Sequence, residues 1–237
     1  MANDLLTIPK TPKDAQLTIS LPDSVFQTAM EQMWGKSYYT RTGSRTQSTL
    51  PTKTPDVREC GFTVFKDRGT QEMRSLNRAC SNSGGSDAGS KDARTGFQPD
   101  FDYPDKNYKA VGFVHSHPGI TRNTLVKSLD ATDARKMLVG QLDFAMIVTG
   151  SGVVELYLRT KDTKEGFKQP VDGGWVDKNM NAGQTTLDKI AKRAGLGDEW
   201  QKSSEKIAIE VAKHYSLAFY KGSGLLLKRV WPPHQKH

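Results

Sequence analysis

The chain has 237 residues, of which 35% are apolar, and a formal net charge of +8. That length suits one large domain or two small ones, and a mean hydropathy of −0.62 marks a polar chain. No run of about 18 apolar residues occurs, which excludes a membrane-spanning helix, and the absence of any CxxC pair excludes a structural zinc finger.

The first residues, "MANDLLTIPKTPKDAQ", lack a basic stretch followed by an apolar one. No cleavable export signal is therefore expected. The expected location is cytoplasmic, or outside the cell by a route that needs no such signal. From residue 161 onward there are 14 Lys/Arg against 9 Asp/Glu, so most of the positive excess lies in the last third. Such a bias attracts nucleic acid, anionic surfaces or acidic proteins. It also describes an ordinary solvated helical face. No run of four basic residues and no basic segment interleaved with aromatics favours a nucleic-acid partner.

Residues 1–20 read as extended or loose. "PDSVFQTAMEQMW" (22–34) reads as an amphipathic helix, with Val25, Ala29 and Met33 at helical spacing. Ser, Thr and Pro dominate 40–55, which is read as a loop. "ECGFTVFKD" (59–67) alternates like a strand. A Ser/Gly/Asp-rich stretch from 79 to 96 cannot bury a core and is read as a surface loop. "KAVGFVHSHP" (109–118) is a strand closed by Pro118. "SLDATDARKMLVG" (128–140) is a helix with an acidic start and a Gly140 stop. "DFAMIVTGSGVVELYLRT" (143–160) is a hairpin around a GSG turn.

Residues 161–181 are irregular again. "TTLDKIAKRAGL" (185–196) and "EKIAIEVAKHYSLAFY" (205–220) read as helices, and "LLLKRVW" (225–231) as a last strand. The expected organisation is an N-terminal helix and loose segment (1–55), a core (56–160) and a basic helical extension with a final strand (161–237). Cys60 and Cys80 form a disulfide if the protein matures in an oxidising compartment; the sequence leaves this open.

The chemistry gathers at "FVHSHP". Residues i and i+2 of a strand point to one side, so His115 and His117 project together. Two imidazoles at a strand end can share one cation, and a zinc site of the catalytic type needs a third ligand. Asp133 is the candidate. Asp130 and Asp133 also stand at helix-capping spacing, and capping accounts for Asp130. Water activation calls for a carboxylate base, and Glu59, at the start of the first core strand, is the candidate. Cys60 as a nucleophile lacks a separate base or oxyanion device.

This ordered set resembles the JAMM (MPN+) metalloprotease domain. That family carries a Glu on an early strand, then H-S/T-H-P at a strand end, then S-x-x-D opening a helix. Here "ECGF", "FVHSHPG" and "LDATDA" follow in the same order, across roughly residues 56–160. The resemblance implies an α/β fold, a mixed sheet flanked by helices as in cytidine deaminases. It implies Zn2+ on His115, His117 and Asp133, with Glu59 as the base that passes a proton to the leaving amine. The implied reaction is hydrolysis of a peptide or isopeptide amide.

The chain departs from the pattern in three places. Its loop after His117 is longer. Asp130 stands where the family has an oxyanion-stabilising Ser, for which Ser116 or Ser128 would have to substitute. Only Cys60 separates Glu59 from Gly61, and strict spacing would select Arg58. Small JAMM-like domains occur in bacterial toxins and secreted effectors, which implies an inhibitor, immunity or delivery protein as partner. The competing expectations are a catalytically inactive JAMM-like binding module and a basic nucleic-acid-binding protein with incidental histidines.

Overall fold

A computed structural model gives the fold and describes residues 7–39, 56–57, 59–80, 99–101, 105–117, 128–129, 131–149, 152–163 and 205–234. The helix expected at 185–196, most of the Ser/Gly-rich loop, Pro118 and Asp130 lie outside them. The strands are β1 (Thr18–Ser20), β2 (Tyr38–Tyr39), β3 (Asp56–Val57), β4 (Cys60–Asp67), β5 (Met73–Cys80), β6 (Tyr108–His117), β7 (Phe144–Thr149), β8 (Val153–Leu158), β9 (Ala218–Ser223) and β10 (Leu226–Trp231). The helices are α1 (Asp23–Met30), α2 (Ala131–Val139) and α3 (Glu205–Tyr215).

Eight strands form one mixed sheet in the order β1-β10-β9-β8-β7-β6-β4-β5, while β2 and β3 pair separately. Only β6 and β7 run parallel; every other neighbouring pair is antiparallel. Parallel neighbours need a crossover, and α2 lies in it. The chain is thus an α/β protein. Strands from all three sequence segments share this sheet, so the divisions at 55 and 160 fall inside one hydrogen-bonded layer. Among the described residues no helix is long and apolar enough to cross a membrane.

Both faces of the sheet are covered. Val25, Ala29 and Met33 of the first helical segment pack on Phe62, Val64, Val114, Phe144, Met146 and Leu156. On the other face Met137 and Leu138 of α2 and Ile207 and Val211 of α3 pack on Phe113, Ala145, Ile147 and Tyr157. Burial on both sides explains why "FAMIVT" is apolar throughout rather than alternating. Each fully buried side chain of this kind contributes about 1.5–3 kcal/mol.

Three elements differ from expectation. The first helix keeps α geometry only to Met30, and Glu31–Lys36 continues as a π-helical turn. The helix expected over 205–220 stops at Tyr215. Ser216 takes a left-handed φ of 58° and Leu217 donates its N–H back to Ala212, and the aromatic Phe219 and Tyr220 join β9 instead. Ala79 and Cys80, expected to open a surface loop, belong instead to β5. Asp67 accepts the N–H groups of Gly69 and Thr70 at 2.7 and 2.8 Å, turning the chain from β4 into β5.

Candidate metal centre

The C-terminal end of β6 lies between β4 and β7. Gly61 of β4 pairs with His115, and β7 sets Ile147 beside His115 and Thr149 beside His117. Strand alternation puts both histidines on the face that α2 covers. The first turn of α2 carries Asp133 over them.

His115 Nε2 and His117 Nε2 are 2.9 Å apart, and His115 Nε2 is 3.3 Å from an Asp133 carboxylate oxygen. All three residues are buried, and one ligand atom from each lies within 4.8 Å of the others. Ligands held tetrahedrally about 2.0–2.1 Å from a zinc ion stand roughly 3.3 Å from each other. The donor spacing therefore suits one small cation. The His115 and His117 rings meet edge to face, and Phe113 stacks on His115 at 5.6 Å between centroids. This packing fixes the imidazole planes.

Protonation states match the same role. Burial pushes His115 below the usual histidine range, although Asp133 pulls the other way. Burial pushes Asp133 up, but the imidazoles of His115 and His117 and the Lys136 ammonium outweigh it and hold the carboxyl below the usual range. The surroundings thus favour the carboxylate form of Asp133, and burial eases loss of the His115 proton, which a metal would require of its imidazole ligand.

Glu59 immediately precedes β4. It is half-buried, and its charge reaches His115, favouring the protonated ring. It thus lies in the neighbourhood of the cluster. Ser116 does not: its hydroxyl is on the opposite face, 2.5 Å from Ser37 Oγ, and it accepts the Cys60 N–H at 2.9 Å. Ser128 lies before α2 and donates to Glu155 at 3.2 Å. Cys60 is fully buried and forms a disulfide with Cys80, directly opposite it on β5. It has no thiol to offer as a nucleophile.

Ser37 and Glu155 are the partners that sequence reasoning missed. Ser37 carried no local signal, since its role depends on the π-helical turn. Glu155 did carry one: a lone carboxylate inside "VVELYL", a run otherwise fit for a core. Several basic residues of the last third have internal partners: Lys221 pairs with Glu155 and Glu205, Lys213 with Glu210, and Arg229 donates to the carbonyls of Lys13 and Ala15.

Comparison with known proteins gave no match, whether to a family model, a curated protein or a solved structure.

Proposed function

We propose that the chain is a zinc-dependent hydrolase of peptide or isopeptide amide bonds, built on a JAMM-like scaffold. The observation that carries the reading is the buried convergence of His115, His117 and Asp133 from a strand end and a helix start. The nearby charge of Glu59 supports it. Zinc on these ligands would supply a water acidified to a pKa of about 7 and an electrophile for the substrate carbonyl. The residues do the rest. His115, His117 and Asp133 would hold the ion through neutral nitrogens and a carboxylate. Glu59 accepts a proton from the attacking water at its carboxylate and returns it to the amine nitrogen that leaves. A peptide or protein amide is the substrate class, and an inhibitor or immunity protein is the regulatory partner that fits an effector.

Metal analysis by plasma mass spectrometry tests this reading: the purified protein should hold about one zinc per chain. His117→Ala should remove it. Zinc-free protein from a zinc-replete preparation sinks the proposal. Glu59→Gln should keep zinc and lose amide hydrolysis; full activity in that variant assigns the base to another residue.

A second reading is a metal-binding module without catalysis. One observation favours it: the hydroxyls of Ser116 and Ser128, the nominated oxyanion donors, are engaged by Ser37 and Glu155. Zinc binding without hydrolysis of any amide substrate, unaltered by Glu59→Gln, would select it.

A further inference from the structure

Glu155 is a carboxylate with 2% of its surface exposed, in the middle of a sheet. Burying a charge is costly unless several donors meet it. Here three do: Ser128 Oγ at 3.2 Å, the Leu129 N–H at 3.1 Å and Lys221 Nζ at 3.4 Å. Lys221 does not account for it, because its closer partner is Glu205 at 2.6 Å. The other two donors belong to the segment that leads into α2.

Two residues on, Tyr157 points from the same face of β8. Its single hydroxyl proton is shared between the Leu129 carbonyl at 3.0 Å and the Ala208 carbonyl of α3 at 3.1 Å. The Leu129 residue is therefore gripped at both its N–H and its C=O by side chains of one strand. Leu129 itself is fully buried. One helical turn later stands Asp133.

Resting on the metal reading above, we propose that Glu155 and Tyr157 are positioning residues. They fix the Leu129 backbone, and through it the first turn of α2, where the Asp133 carboxylate meets His115. Neither touches the ion or the substrate. Their effect is on the third ligand, which arrives from a helix rather than from the strand of the histidines.

The test uses the full chain and zinc itself, titrated against a chromophoric chelator, with the visible spectrum of the cobalt-substituted protein as a second readout. Glu155→Ala should weaken zinc binding about 10- to 100-fold, the usual loss when support of a metal ligand is removed, and should alter the cobalt band. Glu155→Gln keeps an acceptor for the Leu129 N–H and should recover most of the affinity. Tyr157→Phe should weaken binding in the same direction. Leu227→Ala, a cavity variant at the far side of the sheet, should lower the melting temperature and leave both metal readouts unchanged. Wild-type affinity in Glu155→Ala, or an equal loss in Leu227→Ala, overturns the clamp. Should Glu155→Ala fail to fold, Tyr157→Phe decides by the same criterion. A wild type without zinc removes the metal reading and the clamp together, whereas a zinc-bound wild type with unaffected variants removes only the clamp.

Discussion

Gly61 shows how a residue with no functional group governs the site. It is the β4 partner of His115. A Cβ at this position would stand 2.8 Å from His115 Cβ and closer still to the Val114 carbonyl oxygen, which is backbone and cannot swing aside. Gly61→Ala should therefore push β6 away from β4 at His115. The expected cost is about 1–3 kcal/mol of stability, read by urea denaturation, together with weaker binding of the proposed zinc ion. Unchanged affinity would mean that the strand end yields without moving the ring. The same scale explains Ser116. Period-two alternation, which pairs His115 with His117, also turns the residue between them away. Its hydroxyl meets Ser37 and the Cys60 N–H instead, so one rule both gathers the two imidazoles and removes the serine from them. Cys60 and Cys80 were compatible with free thiols or a bridge. Their opposition across β4 and β5, with Cα atoms 4.0 Å apart, closes the bridge beside Glu59.

At the scale of elements, β9 couples the last hairpin to the start of the chain. The Tyr220 hydroxyl donates to the Gln16 carbonyl at 2.8 Å. Burial pushes its pKa up to about 12, with the Arg229 guanidinium opposing. On its neighbour Lys221 burial acts to lower the pKa, but the hydrogen bond to Glu205 and the charge of Glu155 outweigh it, so the value is raised. Both groups are held in their protonated forms by the fold. The stability they contribute is complete below their ordinary values, near 10, and is lost as pH rises through the raised ones. Thermal melts should stay level with respect to these groups up to about pH 10 and fall toward pH 12. Tyr220→Phe gives up one hydrogen bond, worth about 1 kcal/mol, but has no phenol to ionise. Its alkaline fall should be shallower. A fall as steep as that of the wild type would show that the phenol is not responsible.

Across the whole molecule, the local patterns were legible and the long-range ones were not. β6, α2 and the β7–β8 hairpin each follow from their own periodicity and flanking turn residues. They also carry the histidines and Asp133, so the convergence of these three side chains could be read from sequence. The partnership of β1 with β10, and of β9 with β8, joins residues far apart in the chain, and no local pattern encodes it. The basic last third read as a helical extension with a final strand, because charge is visible in a sequence and strand pairing is not. Once folded, it supplies two strands of the sheet and the lysine beside Glu155.

His115, Ile147, Glu155 and Lys221 occupy one transverse row over four adjacent strands. The support of the site is thus set by counting residues as well as by their identity. A one-residue slip of β8 against β7 would bring Val154 or Leu156 into that row and turn the carboxylate toward the α1 side. Leu129 would then face a methyl group where it now meets an acceptor. Insertions and deletions of a single residue within β8 are accordingly a different class of change from substitutions there. They would detune the grip on α2 while leaving His115, His117 and Asp133 in the sequence untouched.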